Sequence, residues 1–291
     1  MIKLIVLDLD GVVKGFKEGV NSPYPSQKVI DYLRRTQDKG VPISLCTGKA
    51  SFAVRKIVEK MELNNQHITD GGAVVFDPLN DKLLRSSVLP QESVVQLLDR
   101  ADGKKILWEL YTLNKKYIEN GYPLHIRESR EIMPWDEVAD LRPLGSSEKI
   151  TKIEIKYLPD TEDYLKKIFE PHLDKLDIQW THIPSLLPMK IVILTAKGVS
   201  KHAAVADLVS FYGIRFSEVL AVGDTMMDWG FMDRCGYVAT MGNANHEMKE
   251  LIIDHGGFIG GHVDDDGLID ILEHYSKDIV FATSNNTELI K

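Results

Sequence analysis

The chain has 291 residues, a formal net charge of −8, 44% hydrophobic residues and 27% charged residues. This composition is typical of a globular protein, and the length favours two domains. The acidic balance argues against a nucleic-acid binder and against a protein of anionic membrane surfaces. Only two cysteines are present, Cys46 and Cys235, so a disulfide framework is not expected and a cytoplasmic location fits. The apolar run at the amino terminus is too short for a signal peptide, and no stretch reaches transmembrane length.

The first predicted element is a buried strand that ends in two carboxylates. The stretch from Ile2 to Gly11 reads IKLIVLDLDG, with β-favouring apolar residues followed by Asp8 and Asp10. On a continuing strand these two side chains point to the same face. Like charges this close repel unless a cation or a proton lies between them, and a divalent metal is the simplest candidate.

The next elements alternate between helix and strand. Ser26 is a predicted N-cap, residues 41–46 form a short apolar strand that ends in Thr47, and a helix begins at about Ser51. Another strand is expected within residues 68–76. The order β-α-β-α-β predicts a parallel sheet with helices on its faces.

The pattern changes between residues 82 and 187. Residues 106–113 and 150–157 alternate apolar and polar positions, which predicts an antiparallel sheet with one wet face and helices on the other. We interpret 82–187 as an inserted α+β domain, with 1–81 and 188–291 forming a discontinuous core. Four basic residues of the insertion could select an anionic substrate, although a solvated face is the simpler interpretation: Arg127, Arg130, Lys149 and Lys152.

Polar residues follow the later core strands as well. Residues 189–194 are expected to form a core strand followed by Lys197 and Lys201, and residues 219–222 lead into Asp224, with Asp228 four residues on. Each residue alone has a plainer explanation, such as a turn, a helix cap or a solvated lysine. In an open α/β sheet, however, ligands bind at the carboxyl ends of the strands. The fold class is therefore α/β with a Rossmann-like parallel-sheet core, and one cluster is predicted from Asp8, Asp10, Thr47, Lys201 and Asp224.

Together these stretches resemble the four motifs of the haloacid dehalogenase superfamily of phosphotransferases. DLDG, CTGK, VSK and GDTMMD match its motifs in order, and an insertion between the second and third motifs resembles the Cof-type, or subclass IIB, proteins with an α+β cap. MGNA at 241–244 and DDDG at 264–267 are similar to downstream signatures of that subgroup.

The resemblance implies a Mg²⁺-dependent phosphatase of small phosphorylated metabolites, with sugar phosphates the leading class. Asp8 would attack phosphorus and become an aspartyl-phosphate. Asp10 would protonate the leaving alcohol and then activate water. Thr47, Gly48 and Lys201 would hold the phosphoryl group.

The same resemblance implies the metal ligands. They would be Asp8, the backbone carbonyl of Asp10, and Asp224, with Asp228 completing the acidic group. Asn243 is a further candidate for substrate binding, although a loop asparagine is the simpler explanation.

Two positions depart from the subgroup's pattern, which usually has asparagine where this chain has Met227 and Gly71. Phosphate binding or cap closure could therefore differ from that of relatives. A phosphomutase or phosphotransferase using the same intermediate is the alternative enzyme, and a phospho-acceptor domain of the response-regulator type is a third hypothesis. The sequence leaves the oligomeric state open.

Overall fold

A computed structural model describes residues 1–100, 106–123, 132–181 and 186–279. Arg127 and Arg130 lie outside these ranges. No helix within them is long and apolar enough to cross a bilayer.

The core is a five-stranded parallel sheet in the order β14-β13-β12-β1-β2. The strands are β1 Leu4–Leu7, β2 Ile43–Leu45, β12 Val219–Gly223, β13 Tyr237–Thr240 and β14 Phe258–Ile259. Every residue of β1 is buried, as expected for a strand covered on both faces.

In the described ranges, six helices cover this sheet: α1 Gln27–Asp38, α2 Ser51–Met61, α6 Lys201–Phe211, α7 Met226–Met232, α8 His246–Asp254 and α9 Leu268–His274. Alternate residues of β1 serve the two faces. Ile5 and Leu7 pack in the cluster that includes α1, α2 and α9, whereas Leu4 and Val6 pack with α6, α7 and α8. The predicted Rossmann-like core is confirmed.

The inserted part is built on a second sheet in the order β10-β11-β9-β6-β7-β8. Its pairs are antiparallel except β7 with β8. Apolar residues of α3 and α5 pack on one face of this sheet. The elements are β6 Ile106–Tyr111, β7 Lys116–Glu119, β8 Trp135–Val138, β9 Lys152–Tyr157, β10 Leu176–Thr181, β11 Lys190–Ala196, α3 Gln91–Asp99, α4 Arg142–Ser147 and α5 Glu162–Phe169. The predicted α+β architecture of the insertion is therefore present.

The stretch predicted as a third core strand begins beside β2, where Cys46 and Ile68 form a parallel bridge, and then turns back as a hairpin. β3 His67–Thr69 and β4 Val74–Asp77 pair antiparallel, and β5 Lys82–Ser86 extends them into a three-stranded sheet. The chain reverses through positive φ angles at Asp70 (52°), Gly71 (67°) and Gly72 (105°). Glycine reaches such angles without steric cost, so the Gly-Gly pair permits the reversal.

The strand expected at 189–194 also has a different place, because β11 pairs with β9 and β10 in the inserted sheet. Its Val192 and Leu194 belong to the cluster under α3 and α5, while Ile193 and Thr195 line a cavity toward the core. A strand buried on both faces has the continuous apolar sequence that suggested a core strand. The predicted boundary at 81/82 separates the paired strands β4 and β5, and the boundary at 187/188 separates the paired strands β10 and β11. We therefore propose that the insertion ends after β11.

Candidate active site

Three carboxylates meet at the carboxyl edge of the core sheet. Asp8 follows β1, Asp224 follows β12, and Asp228 lies in the first turn of α7. One carboxylate oxygen from each lies within 4.8 Å of the others. The backbone amide of Asp8 donates to the carbonyl of Val222 at 2.9 Å, which fixes the two strand ends side by side.

Lys201 neutralises part of this cluster. Its Nζ lies 2.6 Å from Oδ1 of Asp8 and 2.6 Å from Oδ1 of Asp228. It lies at the start of α6, as its predicted position before a helix indicates, but the strand before it belongs to the inserted sheet and not to the core. Gly72 allows this approach, since a Cβ there would lie 2.3 Å from the carbonyl oxygen of Ser200. The competing Lys197 is exposed and pairs with Asp177 at 2.8 Å.

Asp228 both caps α7 and belongs to the acidic group, which are two of its predicted roles. Its Oδ2 accepts hydrogen bonds from the amide of Thr225 at 3.1 Å and the hydroxyl of Thr225 at 2.8 Å, which caps α7. The same oxygen accepts from the amide of Asp224 at 3.3 Å. The cap therefore positions Asp224 while the other oxygen faces Lys201.

The charges of this group fit a divalent cation. Burial raises the pKa of Asp8 well above its usual value, and the nearby Asp228 adds to this effect against the opposing charge of Lys201. Burial and Asp228 likewise raise the pKa of Asp224 to about 7. Three ionised carboxylates and one ammonium have a net charge of −2, which one divalent cation would balance. Carboxylate oxygens are the hard ligands that Mg²⁺ prefers. The residues present thus fit the predicted metal.

Asp10 has a different environment. Its oxygens lie 2.9 Å from Nζ of Lys14 and 3.3 Å from Nζ of Lys49. Burial raises the pKa of Asp10, but Lys49 and Lys14 outweigh burial and leave the pKa below its usual value. The predicted roles require Asp8 to be ionised and Asp10 to be protonated. The raised pKa of Asp8 and the lowered pKa of Asp10 favour the opposite states. The cause is that the lysines face Asp10, while Asp8 is crowded by other acids.

The phosphate-binding candidates follow β2. Thr47 is buried, and its Oγ1 accepts a hydrogen bond from the amide of Lys49 at 3.1 Å. Gly48 lines a cavity of about 410 Å³ between core and insertion. Other residues that line this cavity are Gly71, Lys152, Gln179, Ile193, Lys201 and Met227. The two positions that depart from the subgroup's asparagines therefore lie in its wall.

Asn243 contacts the metal side of the site. Its Nδ2 donates to Oδ2 of Asp224 at 3.1 Å and to the carbonyl of Gly11 at 2.9 Å. Its Oδ1 accepts from the amide of Val263 at 3.0 Å. These contacts support a role in positioning Asp224 rather than the predicted contact with substrate.

Three lysines lie near the site, and only one of them, Lys152, is among the residues predicted as candidates for selecting an anionic substrate. Lys14 interrupts an apolar stretch after the first motif, and Lys49 directly follows Thr-Gly. Lys152, expected on a solvated face, is 4% exposed and lines the cavity. The strict alternation of polar and apolar residues in KIEIKY at 152–157 indicated that Lys152 lies on a polar face of its strand. In the structure this polar face is buried against the core.

A parallel α/β core with acids at its strand ends, beneath an inserted α+β sheet, defines a protein with a Rossmann-like core and an inserted cap. A family model of haloacid dehalogenase-like hydrolases matches residues 5–272. The chain belongs to this family, and the predicted resemblance is confirmed.

Several similar proteins are named as phosphatases. Phosphatase YwpJ of Bacillus subtilis is 24% identical over 275 residues, covering 86% of this chain and 93% of its own. The 5-amino-6-(5-phospho-D-ribitylamino)uracil phosphatase YwtE of the same organism is 24% identical, with 86% and 91% covered. These relatives support the predicted enzyme class, a phosphatase of the haloacid dehalogenase type.

Solved structures show the same fold. A haloacid dehalogenase-like hydrolase from Bacteroides thetaiotaomicron superimposes with a TM-score of 0.80 at 20% identity, covering 94% of this chain and 99% of that one. The subclass IIB sugar phosphatase BT4131 gives a TM-score of 0.72 at 18% identity, with the same coverage.

Proposed function

We propose that this protein is a Mg²⁺-dependent phosphatase of small phosphorylated metabolites that acts through an aspartyl-phosphate on Asp8. The observation that carries the proposal is the position of Asp8. Its carboxylate contacts Lys201 and lies within 4.8 Å of the carboxylates of Asp224 and Asp228, and Lys201 lines a cavity together with Gly48. A nucleophilic carboxylate, cations for the phosphoryl oxygens and a nearby acid are the parts that phosphoryl transfer requires.

In the first step an oxygen of Asp8 bonds to phosphorus as the bond from phosphorus to the leaving oxygen breaks, and Asp10 gives its proton to that oxygen. In the second step Asp10 takes a proton from water, the water oxygen bonds to phosphorus, and the acyl phosphate bond breaks. Inorganic phosphate leaves, and Asp8 and Asp10 return to their starting states. Proton transfer of this kind contributes about 10²–10⁴-fold to the rate.

Asp8, the backbone carbonyl of Asp10, and Asp224 would hold the metal, with Asp228 beside them. A bound Mg²⁺ supplies positive charge for the phosphoryl oxygens and for the ionised nucleophile. Lys201 supports the same charges, as its contact with Asp8 at 2.6 Å indicates.

The ion pairs of Asp10 are compatible with a side chain that takes up its proton when the substrate binds. Lys49 and Lys14 lower the pKa of Asp10 against the effect of burial. A phosphate dianion bound at Thr47 and Gly48 brings negative charge next to Asp10 and draws on the same lysines. Both effects raise the pKa of Asp10 and favour the acid form that the first step needs.

We infer that the substrates are phosphorylated sugars or polyols, in keeping with the sugar phosphatase BT4131 and the phosphoribityl substrate in the name of YwtE. The cavity of about 410 Å³ suits a leaving group of that size. A cytoplasmic location would place the enzyme with such metabolites.

The test is phosphate release from a panel of phosphorylated metabolites, with Mg²⁺ and with excess EDTA. We expect release with Mg²⁺ only, and no release by Asp8→Asn. Asp254→Asn, which changes an exposed acid of α8, is the matched control and should retain full activity. Full activity of Asp8→Asn would refute the mechanism. Transfer of phosphate to a second sugar hydroxyl, without release, would identify a mutase instead.

A further inference from the structure

A row of charged side chains crosses the face of the inserted sheet that is turned to the core. On β9, the polar residues Lys152, Glu154 and Lys156 alternate with apolar residues that pack under α3 and α5. Glu109 of β6 and Lys116 of β7 continue the row on the same face. Lys116, Lys152 and Lys156 are only 2%, 4% and 6% exposed, and Glu109 is fully buried.

The row alternates in sign. Nζ of Lys116 lies 3.4 Å from Glu109, and Nζ of Lys156 lies 2.6 Å from Glu109 and 3.0 Å from Glu154. Nζ of Lys152 ends the row at 3.5 Å from Glu154. The row carries one positive charge in excess. Since a buried charge without a close counterion is costly, an anion is expected at one end.

The two ends of the row differ in their access to the cavity. Both end lysines lie against Tyr111, with Nζ of Lys116 5.7 Å and Nζ of Lys152 4.0 Å from the ring centroid, so the aromatic contact does not distinguish them. Of the two, Lys152 lines the cavity, and its Nζ donates to the carbonyl oxygen of Gly48 at 3.0 Å. The next acid, Asp70, feels the charge of Lys152, but its carboxylate already accepts hydrogen bonds from the amide of Ser51 and the hydroxyl of Thr151. The Lys152 end is therefore where an anion can enter.

We propose that Lys152 is a phosphate-binding residue supplied by the inserted sheet, whose ammonium contacts phosphoryl oxygens beside Gly48 and Lys201. This inference rests on the proposed function, because it takes the cavity as the phosphate site. Glu154 holds the ammonium toward the cavity, and Glu109 and Lys156 hold Glu154 in turn. The cationic part of the site is then complete only when the insertion lies on the core as it does here.

The direct test is the binding of inorganic phosphate to the Mg²⁺-loaded full-length enzyme by titration calorimetry. Phosphate has no leaving group, so it reports on the phosphoryl subsite alone. We expect Lys152→Met and Lys152→Gln to weaken binding about tenfold or more, the usual size of a charge-assisted hydrogen bond. Lys167→Met, which removes an exposed lysine of α5 in the same insertion, should bind as the wild type does.

Lys152→Gln removes the positive charge but keeps a hydrogen-bond donor, because the glutamine amide can still donate to the carbonyl of Gly48. This variant therefore distinguishes an electrostatic role of Lys152 from a structural one. Wild-type phosphate affinity in this variant would show that Lys152 only bridges the two parts of the chain, and would overturn the proposal. Thermal melting confirms that each variant is folded, and if Lys152→Met does not fold, Lys152→Gln carries the test. A wild-type enzyme that binds no phosphate would also overturn it.

A second measurement compares two substrates of nearly equal size, glycerol 3-phosphate and 3-phosphoglycerate. We expect Lys152→Gln to lower kcat/KM for both by the same factor, because they share the phosphoryl group. A loss confined to 3-phosphoglycerate would mean that Lys152 binds the leaving group, and would refute the proposal. Absence of any turnover would refute the proposed phosphatase, whereas phosphate binding would still decide the role of Lys152.

Discussion

The ammonium nitrogen of Lys201 lies 2.6 Å from Oδ1 of Asp8, although 193 residues separate them along the chain. One residue follows the first core strand and the other begins the first core helix after the insertion. This ion pair, with the second one from Lys201 to Asp228 at 2.6 Å, joins the two halves of the core at the carboxyl edge of the sheet.

Removal of the Lys201 ammonium should destabilise the metal-free protein. Lys201→Met leaves Asp8 and Asp228 buried without their common cation, and loss of one partner from a buried pair costs about 3–5 kcal/mol. We expect a lower free energy of unfolding in urea, a larger stabilisation by Mg²⁺ than in the wild type, and phosphatase activity reduced at least about 100-fold. Lys197→Met is the control. Unchanged stability of Lys201→Met in EDTA would contradict this assignment.

Gly11 should be required for the metal site. Its φ is +85°, and a Cβ there would lie 2.0 Å from Oδ2 of Asp224. Gly19 has a similar φ of +74°, but a Cβ at Gly19 would have no atom of the described residues within 4 Å. Backbone strain of about 1 kcal/mol is therefore common to Gly11→Ala and Gly19→Ala.

We expect only Gly11→Ala to lose the rise in melting temperature that Mg²⁺ produces, because only that methyl group displaces Asp224. The measurement is a thermal melt with and without Mg²⁺. Equal responses of the two variants to Mg²⁺ would show that the contact with Asp224 is unimportant.

Asn243→Ala should weaken metal binding more than substrate binding. The side chain donates to Asp224 at 3.1 Å, and loss of a partner that orients a metal ligand typically costs 10–100-fold in metal affinity or activity. We expect the Mg²⁺ concentration at half-maximal activity to rise about tenfold or more. Asn114→Ala, at an exposed position, is the control. A rise in substrate KM with unchanged Mg²⁺ dependence would instead support the substrate contact predicted from sequence.

His67 should make the fold sensitive to acid. It is fully buried, its Nδ1 accepts a hydrogen bond from the amide of Leu45 at 3.1 Å, and burial lowers its pKa from 6.5 to about 4. Because the folded pKa is below the unfolded one, the stabilisation is present above pH 6.5 and is lost as the pH falls toward 4. The loss from this group between pH 7 and pH 5 is about 2 kcal/mol.

The measurement is urea unfolding across that pH range for the wild type and for His67→Gln, which cannot take up a proton. We expect a shallower fall in the free energy of unfolding for the variant. Parallel curves for the two proteins would show that His67 is not the group that titrates.

Much of the fold could be predicted because its signals are local. A run of buried β-favouring residues, a polar residue at the strand end and a helix after it appear together in sequence, and parallel strands bring those ends to one edge. The positions of Asp8, Thr47 and Asp224 followed from this rule. The hairpin through Gly71 and Gly72 did not, because a strand that turns back and a strand that continues have the same apolar residues.

By itself the sequence determined the order of the four motifs, the presence of an inserted α+β sheet and the acids that gather around Asp8. Only the tertiary structure decided that β11 belongs to the insertion, that Lys201 pairs with both Asp8 and Asp228, and that Lys152 reaches Gly48. The physical reason is that these facts depend on which faces of separate elements meet. Alternation in KIEIKY marks a polar face, but whether that face meets water or the core is settled by what packs against it.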